Sequence, residues 1–430
     1  MTAEVHVLHP LSTPLGGFLR VGHTGHRKLE ALHAAGRFPY RRVVFDAAHI
    51  GEQQELLKML KISGCEIVLD PNFAEMSMLG RFGSAVSKLP WANPERPWDP
   101  SDFTRGRNLD IAQLIAEFAL RQDINVVLAP THFIEPATAS WRPIDLRTCE
   151  ALRHELNHMG GANIAIDYQL ITTNALLKDE QGRNELIDGL SSLPIDNVWL
   201  RTSGFGATAT GVGTRHFIEA VRGMHQIGRP LVGDGVGGLS GLAAAAFGAV
   251  GSISHGVGQK ESFDASDWKK PPTRNGGGSA TRIYVHELDR YFTEDQLDAI
   301  FGAKGGRSRF GCNDANCCHH GPEDMIENAH IHFITQRSRQ LDDLSSVPES
   351  RRAEHFLLRH LDPAVRSARL GARLKIEDEK VAKVMTNVKA RLVRLRDALA
   401  DLQARDGTAS RSRSPAFRGG GHSISAVSGR

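Results

Sequence analysis

Seven residues able to do acid–base, metal or phosphate chemistry recur in one setting along this chain. Asp46 closes the run VVFD, Asp70 closes IVLD, and Asp167, Asp234 and His255 close the runs that start at Ile164, Leu231 and Ser252. His132 ends the run from Val126, and Arg201 lies within Val198–Ser203. Two carboxylates at one site can divide a substitution between a nucleophile and a general acid–base, and an arginine beside them can bind phosphate or pair with a carboxylate. A single aspartate after a strand more often caps the next helix or makes an Asx turn. That reading is less credible for Asp46, Asp70, Asp167 and Asp234 taken together.

The elements that must position these residues are short β-rich runs, each ending before a loop that contains Gly, Pro or Asn. With Phe18–Gly22 as the first, there are eight, mostly separated by segments long enough for a helix. Such alternation builds a parallel sheet, and eight units suggest an α/β chain closed as a (β/α)8 barrel of the TIM type, with its active site at the C-terminal ends of the strands. The barrel is expected over residues 1–300. Leu89–Arg107, rich in Pro, Trp and charge, reads as a lid over the mouth or as a plain surface excursion. Residues 301–361 should form a Cys/His element with helices. Residues 362–405 should form an amphipathic helix, with Val381, Val384, Val388, Leu392, Leu395, Leu399 and Leu402 facing the barrel or a second subunit. The Ser-, Gly- and Arg-rich residues 406–430 are expected to be a disordered basic tail.

Of five cysteines, three fall within Cys312–Cys318, followed by His319, His320, His330, His332 and His355. Clustered thiols point to a metal site in a reducing compartment. Thiolates from one knuckle plus a histidine from a following helix would complete a tetrahedral structural zinc site. A cluster of buried thiols without metal, or a redox role, is the alternative. A formal charge of +3 does not by itself identify a nucleic-acid binder. No run of 18 apolar residues exists to cross a membrane. The N-terminal residues lack the pattern of a secretory signal, so a cytoplasmic location is expected.

Several segments, in order, resemble the tRNA-guanine transglycosylase family. They are TPLGGFLRVGHTGHRKLEAL (Thr13–Leu32), VVFDAAHIG, IVLDPNFAEMSMLG (Ile67–Gly80), THFIEPAT, GDGVGGLSGLAAAAFGAVGSISHG and PPTRNGGG (Pro271–Gly278). The departures mark a divergent paralogue. Pro71-Asn72-Phe73-Ala74 stands where the family has Gly-Gly-Phe-Gln, SGFGATATG (Ser203–Gly211) is a loose form of its Gly-rich loop, and Asp314 replaces one zinc-binding cysteine, with Cys318 adjacent to Cys317.

The resemblance implies exchange of guanine for a 7-deazaguanine base within DNA or tRNA, through a covalent link between a carboxylate and the sugar C1′. The target base would flip out to reach the mouth. By position Asp70 would be the acid–base and Asp264 the nucleophile, with Asp267, Glu261, His255 or no competent nucleophile as alternatives. Asp167 would accept from the base edge, Asp46 and Asp234 likewise, and Arg201 and His255 would line the substrate site. Zinc would be held by Cys312, Cys317, Cys318 and His355. Two other functions compete: a barrel hydrolase or lyase whose metal is held by His132, Asp167, Asp234 and His255, and a degenerate barrel kept as a nucleic-acid-binding subunit.

Overall fold

The computed structural model describes residues 14–83, 85–104, 106–257, 261–271, 281–407 and 409–420. Eight parallel strands form the barrel: β1 (Gly16–Arg20), β2 (Arg42–Asp46), β3 (Glu66–Asp70), β4 (Val126–Leu128), β5 (Ala165–Thr173), β6 (Asn197–Ser203), β7 (Leu231–Asp234) and β8 (Ser252–Gly256). Neighbours in sequence pair around the ring. Closure comes from β8 against β1, with Gly16 opposite Ser252, and from β4 against β5, with Leu128 opposite Asp167. Phe133–Ile134 adds a two-residue strand beside the end of β5. The sequence reading of a (β/α)8 barrel is borne out.

Strand side chains alternate between faces, so each strand contributes every second residue to the barrel interior. The interior core consists of Phe18, Val44, Val68, Val126, Leu128, Ala165, Trp199 and Val232, all buried, with the Phe18 and Trp199 rings 4.6 Å apart. Two residues further along the same faces come Arg20, Asp46, Asp70, Arg201 and Asp234. An apolar plug therefore separates a polar layer at the mouth from one at the opposite end, where Arg42 pairs with Glu66 at 3.6 Å.

The long C-terminal helix, Glu379–Arg405, buries Val381, Val388, Leu392, Leu395, Leu399 and Leu402. It lies on the barrel helix Gly211–Gly223, where a Cβ on Gly211 would stand 2.2 Å from the Arg394 carbonyl oxygen. Its apolar stripe is thus used within the chain.

The tail departs from expectation. Residues 409–420 are ordered and run across the N-terminal end of the barrel, while 421–430 lie outside the described residues. Ser412 donates its backbone N–H to Gly248 O (2.8 Å) and accepts at its hydroxyl from Leu231 N (2.9 Å). Arg42 donates to Pro415 O at 2.8 Å, Arg418 N to Glu66 at 2.5 Å, and the Arg418 guanidinium to Asp196 at 2.8 Å. Phe417 lies under the Arg41 and Arg42 guanidinium groups, at 5.0 and 5.6 Å. Gly251 makes room, since a Cβ there would stand 2.0 Å from the Arg413 carbonyl oxygen. Low apolar content argued for disorder, but main-chain hydrogen bonds and arginine contacts hold this segment instead. Deleting residues 409–430 should cost on the order of 3 kcal/mol by unpairing buried polar groups. Urea unfolding of the truncated chain checks this; an unchanged midpoint would make the segment a passive passenger.

Candidate active site and metal centre

The polar layer at the mouth is a network of ions. Arg20 grips Asp234 with two hydrogen bonds, both 2.9 Å, and reaches Asp70 at 2.7 Å and Asp46 at 3.5 Å. Arg201 donates to the same Asp234 oxygen at 2.9 Å and stands 3.5 Å from Asp70, and Gln169 donates to Asp234 at 2.9 Å. Asp234 therefore accepts from three side chains. Burial alone would raise its pKa, but the two guanidinium groups outweigh that and hold it well below the usual carboxylate range. Asp70, subject to the same opposing influences, is also held down. Both are ionised anchors in the resting site.

Glu75 behaves oppositely. It sits on the one-turn helix Phe73–Met76, entered through Asn72, whose φ of 55° is left-handed and is tolerated because asparagine can satisfy itself locally. Asn72 donates its N–H to Asp70 and accepts from Ala48 N, so the turn is tied to the network. Burial, then the nearby Asp70 charge, push the Glu75 pKa up; Arg201, 4.0 Å away, offsets this only in part. Two guanidinium groups face four carboxyl groups here, and Glu75 retains a proton more readily than Asp70 or Asp234.

Above the network opens a cavity of about 830 Å³. Its walls include Arg20, Asp46, Glu75, Arg201, Asp234, Phe263, Asp264 and Trp268, with His23, His49, Arg81 and Arg282 also lining it. Asp264 follows a two-residue ladder between Phe205–Gly206 and Ser262–Phe263, and is exposed. It accepts from Ser266 N at 2.9 Å, which lowers its pKa and keeps it ionised. Asp267 lines the same cavity. Glu261 instead is buried and clamped by Arg337 at 2.9 Å and by the Tyr291 hydroxyl at 3.0 Å.

Three expected residues are elsewhere. Asp167 lies in the lower part of the barrel, because β5 continues six residues beyond it to Thr173. There it accepts from Asn197 and the Trp199 indole, both at 2.8 Å, and burial raises its pKa to about 6. His255 points outward, since its neighbour Ser254 takes the interior face. It bonds Tyr40 Oη at 2.8 Å and Gly256 O at 2.9 Å, and burial lowers its pKa to about 3, so it is neutral. His132 is bound to Asp145 at 2.5 Å and stacked on Trp141 at 3.6 Å, away from the cavity. Four residues proposed to share a catalytic metal, His132, Asp167, Asp234 and His255, are thus not brought together.

The Pro- and Trp-rich stretch does not line the cavity. Trp91 and Trp98 are buried, Trp91 donates to Pro71 O at 2.9 Å, and Trp98 N bonds Met76 O at 2.9 Å. The stretch braces from behind the turn that carries Asn72 and Glu75. The family-like Pro272-Thr273-Arg274 lies outside the described residues.

Cys312, Cys317, Cys318 and His332 form a group that could hold a metal ion. The Cys312 and Cys317 sulfurs are 3.6 Å apart, and His332 Nδ1 is 3.5 and 3.4 Å from Cys317 and Cys318. Tetrahedral ligands about 2.0–2.3 Å from zinc would be spaced roughly 3.3–3.8 Å. His332 Nε2 bonds Tyr284 O at 2.9 Å, which sets the tautomer that leaves Nδ1 for a metal. The fourth member is therefore His332 and not His355. His332 is brought over the knuckle by the helix Ala329–Ser345, whereas His355 bonds Asp343 at 2.7 Å. The same helix carries Arg337, which clamps Glu261, three residues before Asp264.

No family model and no curated protein matches this chain. Among solved structures it is similar to a type I 3-dehydroquinate dehydratase from Clostridium difficile (11% identity, TM-score 0.35, covering 60% of this chain and 90% of that one). It is also similar to a GH10 xylanase from Bispora sp. MEY-1 (10%, 0.38, 56% and 83%) and to an endo-β-1,4-mannanase from Cellulomonas fimi (12%, 0.38, 60% and 70%). The barrel assignment rests on the closed strand register itself. Among the described residues, no helix is long and apolar enough to cross a membrane.

Proposed function

We propose that this protein is a guanine transglycosylase-like enzyme, exchanging guanine for a 7-deazaguanine base in DNA or tRNA. The observation that carries the reading is a pairing of opposites lining one cavity: Glu75, biased toward its protonated form, and Asp264, ionised and exposed. In this scheme Asp264 attacks C1′ of the flipped nucleotide as the bond to guanine breaks, and Glu75 gives its proton to the departing base. Glu75 then takes the N–H proton of the incoming base, whose nitrogen attacks C1′ and releases Asp264. Protons and bonds balance over the cycle. Arg201 can donate to a purine carbonyl, and Asp46, in place of the distant Asp167, can accept from its N–H groups.

The Cys312/Cys317/Cys318/His332 group fits zinc in a structural role, locking the helix that clamps Glu261. Gln336 donates to the Cys317 sulfur at 3.3 Å. Gln336→Leu should weaken zinc retention roughly tenfold to hundredfold, measured against a chromophoric chelator.

A binding subunit without catalysis is the second reading. It is favoured by Asp70, the family's acid–base position, being locked by two arginines. Incorporation of labelled guanine into duplex DNA or tRNA separates the two. Label entering one polymer with wild type and not with Asp264→Asn supports the enzyme. Label still entering with the variant moves the nucleophile elsewhere. No entry into either polymer, with binding retained, supports the subunit.

A further inference from the structure

We propose a second metal centre on the rim of the barrel mouth, formed by His23, His49 and Glu52 and taking a divalent first-row transition ion. The three ligand atoms lie within 4.8 Å of one another, and the two imidazole rings are 4.5 Å apart at 44°. Two imidazoles and one carboxylate are a donor set suited to Fe(II), Mn(II), Co(II) or Zn(II) rather than to Ca²⁺ or Mg²⁺.

The trio is assembled by backbone that other bonds already fix. His49 and Glu52 are spaced i, i+3 on the tight turn that begins the 3₁₀ segment Ile50–Gln53, where side chains at this spacing nearly eclipse. Glu52 N bonds His49 O at 3.1 Å, and His49 N bonds Asp46 O at 3.0 Å. His23 comes from the loop after β1, and Gln53 donates to Gly22 O at 2.7 Å, tying that loop to the turn. The three side chains are exposed or half-buried, and metal–ligand bonds of about 2.1 Å would require their ligand atoms to close to roughly 3 Å.

The position gives the ion a use. His23 and His49 line both the main cavity and a neighbouring one of about 500 Å³ whose wall includes Glu52. An ion with three protein ligands keeps open positions, and these would be reached from the cavity by an oxygen ligand such as a phosphate of the substrate. A third group among the described residues is Asp343 with His355 and His360, where one Asp343 oxygen is 2.7 Å from His355 Nε2 and 2.9 Å from His360 Nε2.

Titration of the full chain with Co(II), followed by absorption, tests the proposal without any polynucleotide. Its outcome is therefore independent of the transglycosylase reading. Wild type should take up one equivalent with intense thiolate-to-cobalt charge transfer and a second with only weak d–d bands. His49→Ala and Glu52→Gln should each weaken the second equivalent at least tenfold while leaving the thiolate band intact, which also reports that the variants fold. Cys318→Ser should do the reverse. A single equivalent in wild type, or a second one of unchanged affinity in both rim variants, overturns the site.

Discussion

Glu75→Gln is expected to lower the rate of base exchange by roughly 10²–10⁴-fold while leaving polynucleotide affinity within a few-fold. Glutamine keeps the shape and the contact with Arg201 but can neither give nor take the proton. Direction of titration adds a sharper readout. Burial and the neighbouring Asp70 raise the Glu75 pKa, so the acid form survives to higher pH than in an ordinary glutamate. Wild-type activity should therefore fall on the alkaline side as Glu75 loses its proton. The residual rate of the variant should lack that limb. Equal rates in the two proteins across the pH range would remove Glu75 from the chemistry.

Asp234→Asn should cost roughly 3–5 kcal/mol of folding stability at neutral pH, because it removes the carboxylate that Arg20 and Arg201 grip most fully and leaves Asp70 as the one they still share. The Asp234 pKa is depressed in the fold. Its stabilisation is therefore present above the unfolded value of about 3.9 and is lost as pH falls through the lower folded value. The gap between variant and wild type should thus be widest near neutrality and narrow below about pH 4, as the aspartate of the unfolded chain takes up a proton that the folded Asp234 resists. Urea midpoints across that range measure it, and a gap independent of pH would mean that the network is not held by charge.

Much of this architecture was legible in the residue pattern. Strands ending at Asp46, Asp70 and Asp234 could be read because short apolar runs stop abruptly at a polar residue that faces the mouth. Asp167 misled for a local reason: the run AIDYQLITT stays rich in β-branched and apolar residues after the aspartate, so the strand goes on and carries Gln169 to the level of Asp234. His255 fails by parity, since Ser252 and Ser254 hold the interior face, and counting in twos from Phe18 and its partner Ser254 would have shown it. Glu75 was invisible to strand alternation because it stands on one turn of helix beyond a left-handed asparagine. His332 and His355 lie on separate helical segments, and only the way these pack decides between them.

The strap across the barrel floor has a consequence for how the molecule is made. The last barrel strand ends at Gly256, yet the segment that covers the Arg42–Glu66 pair begins near residue 411. At usual elongation rates, on the order of ten seconds separate the two on the ribosome. Through that interval the ring of strands can close while its underside remains wet, so residues 411–420 work as a latch on a structure assembled before them. A bulky fusion placed directly after that stretch would meet the nascent barrel at its last unsealed surface.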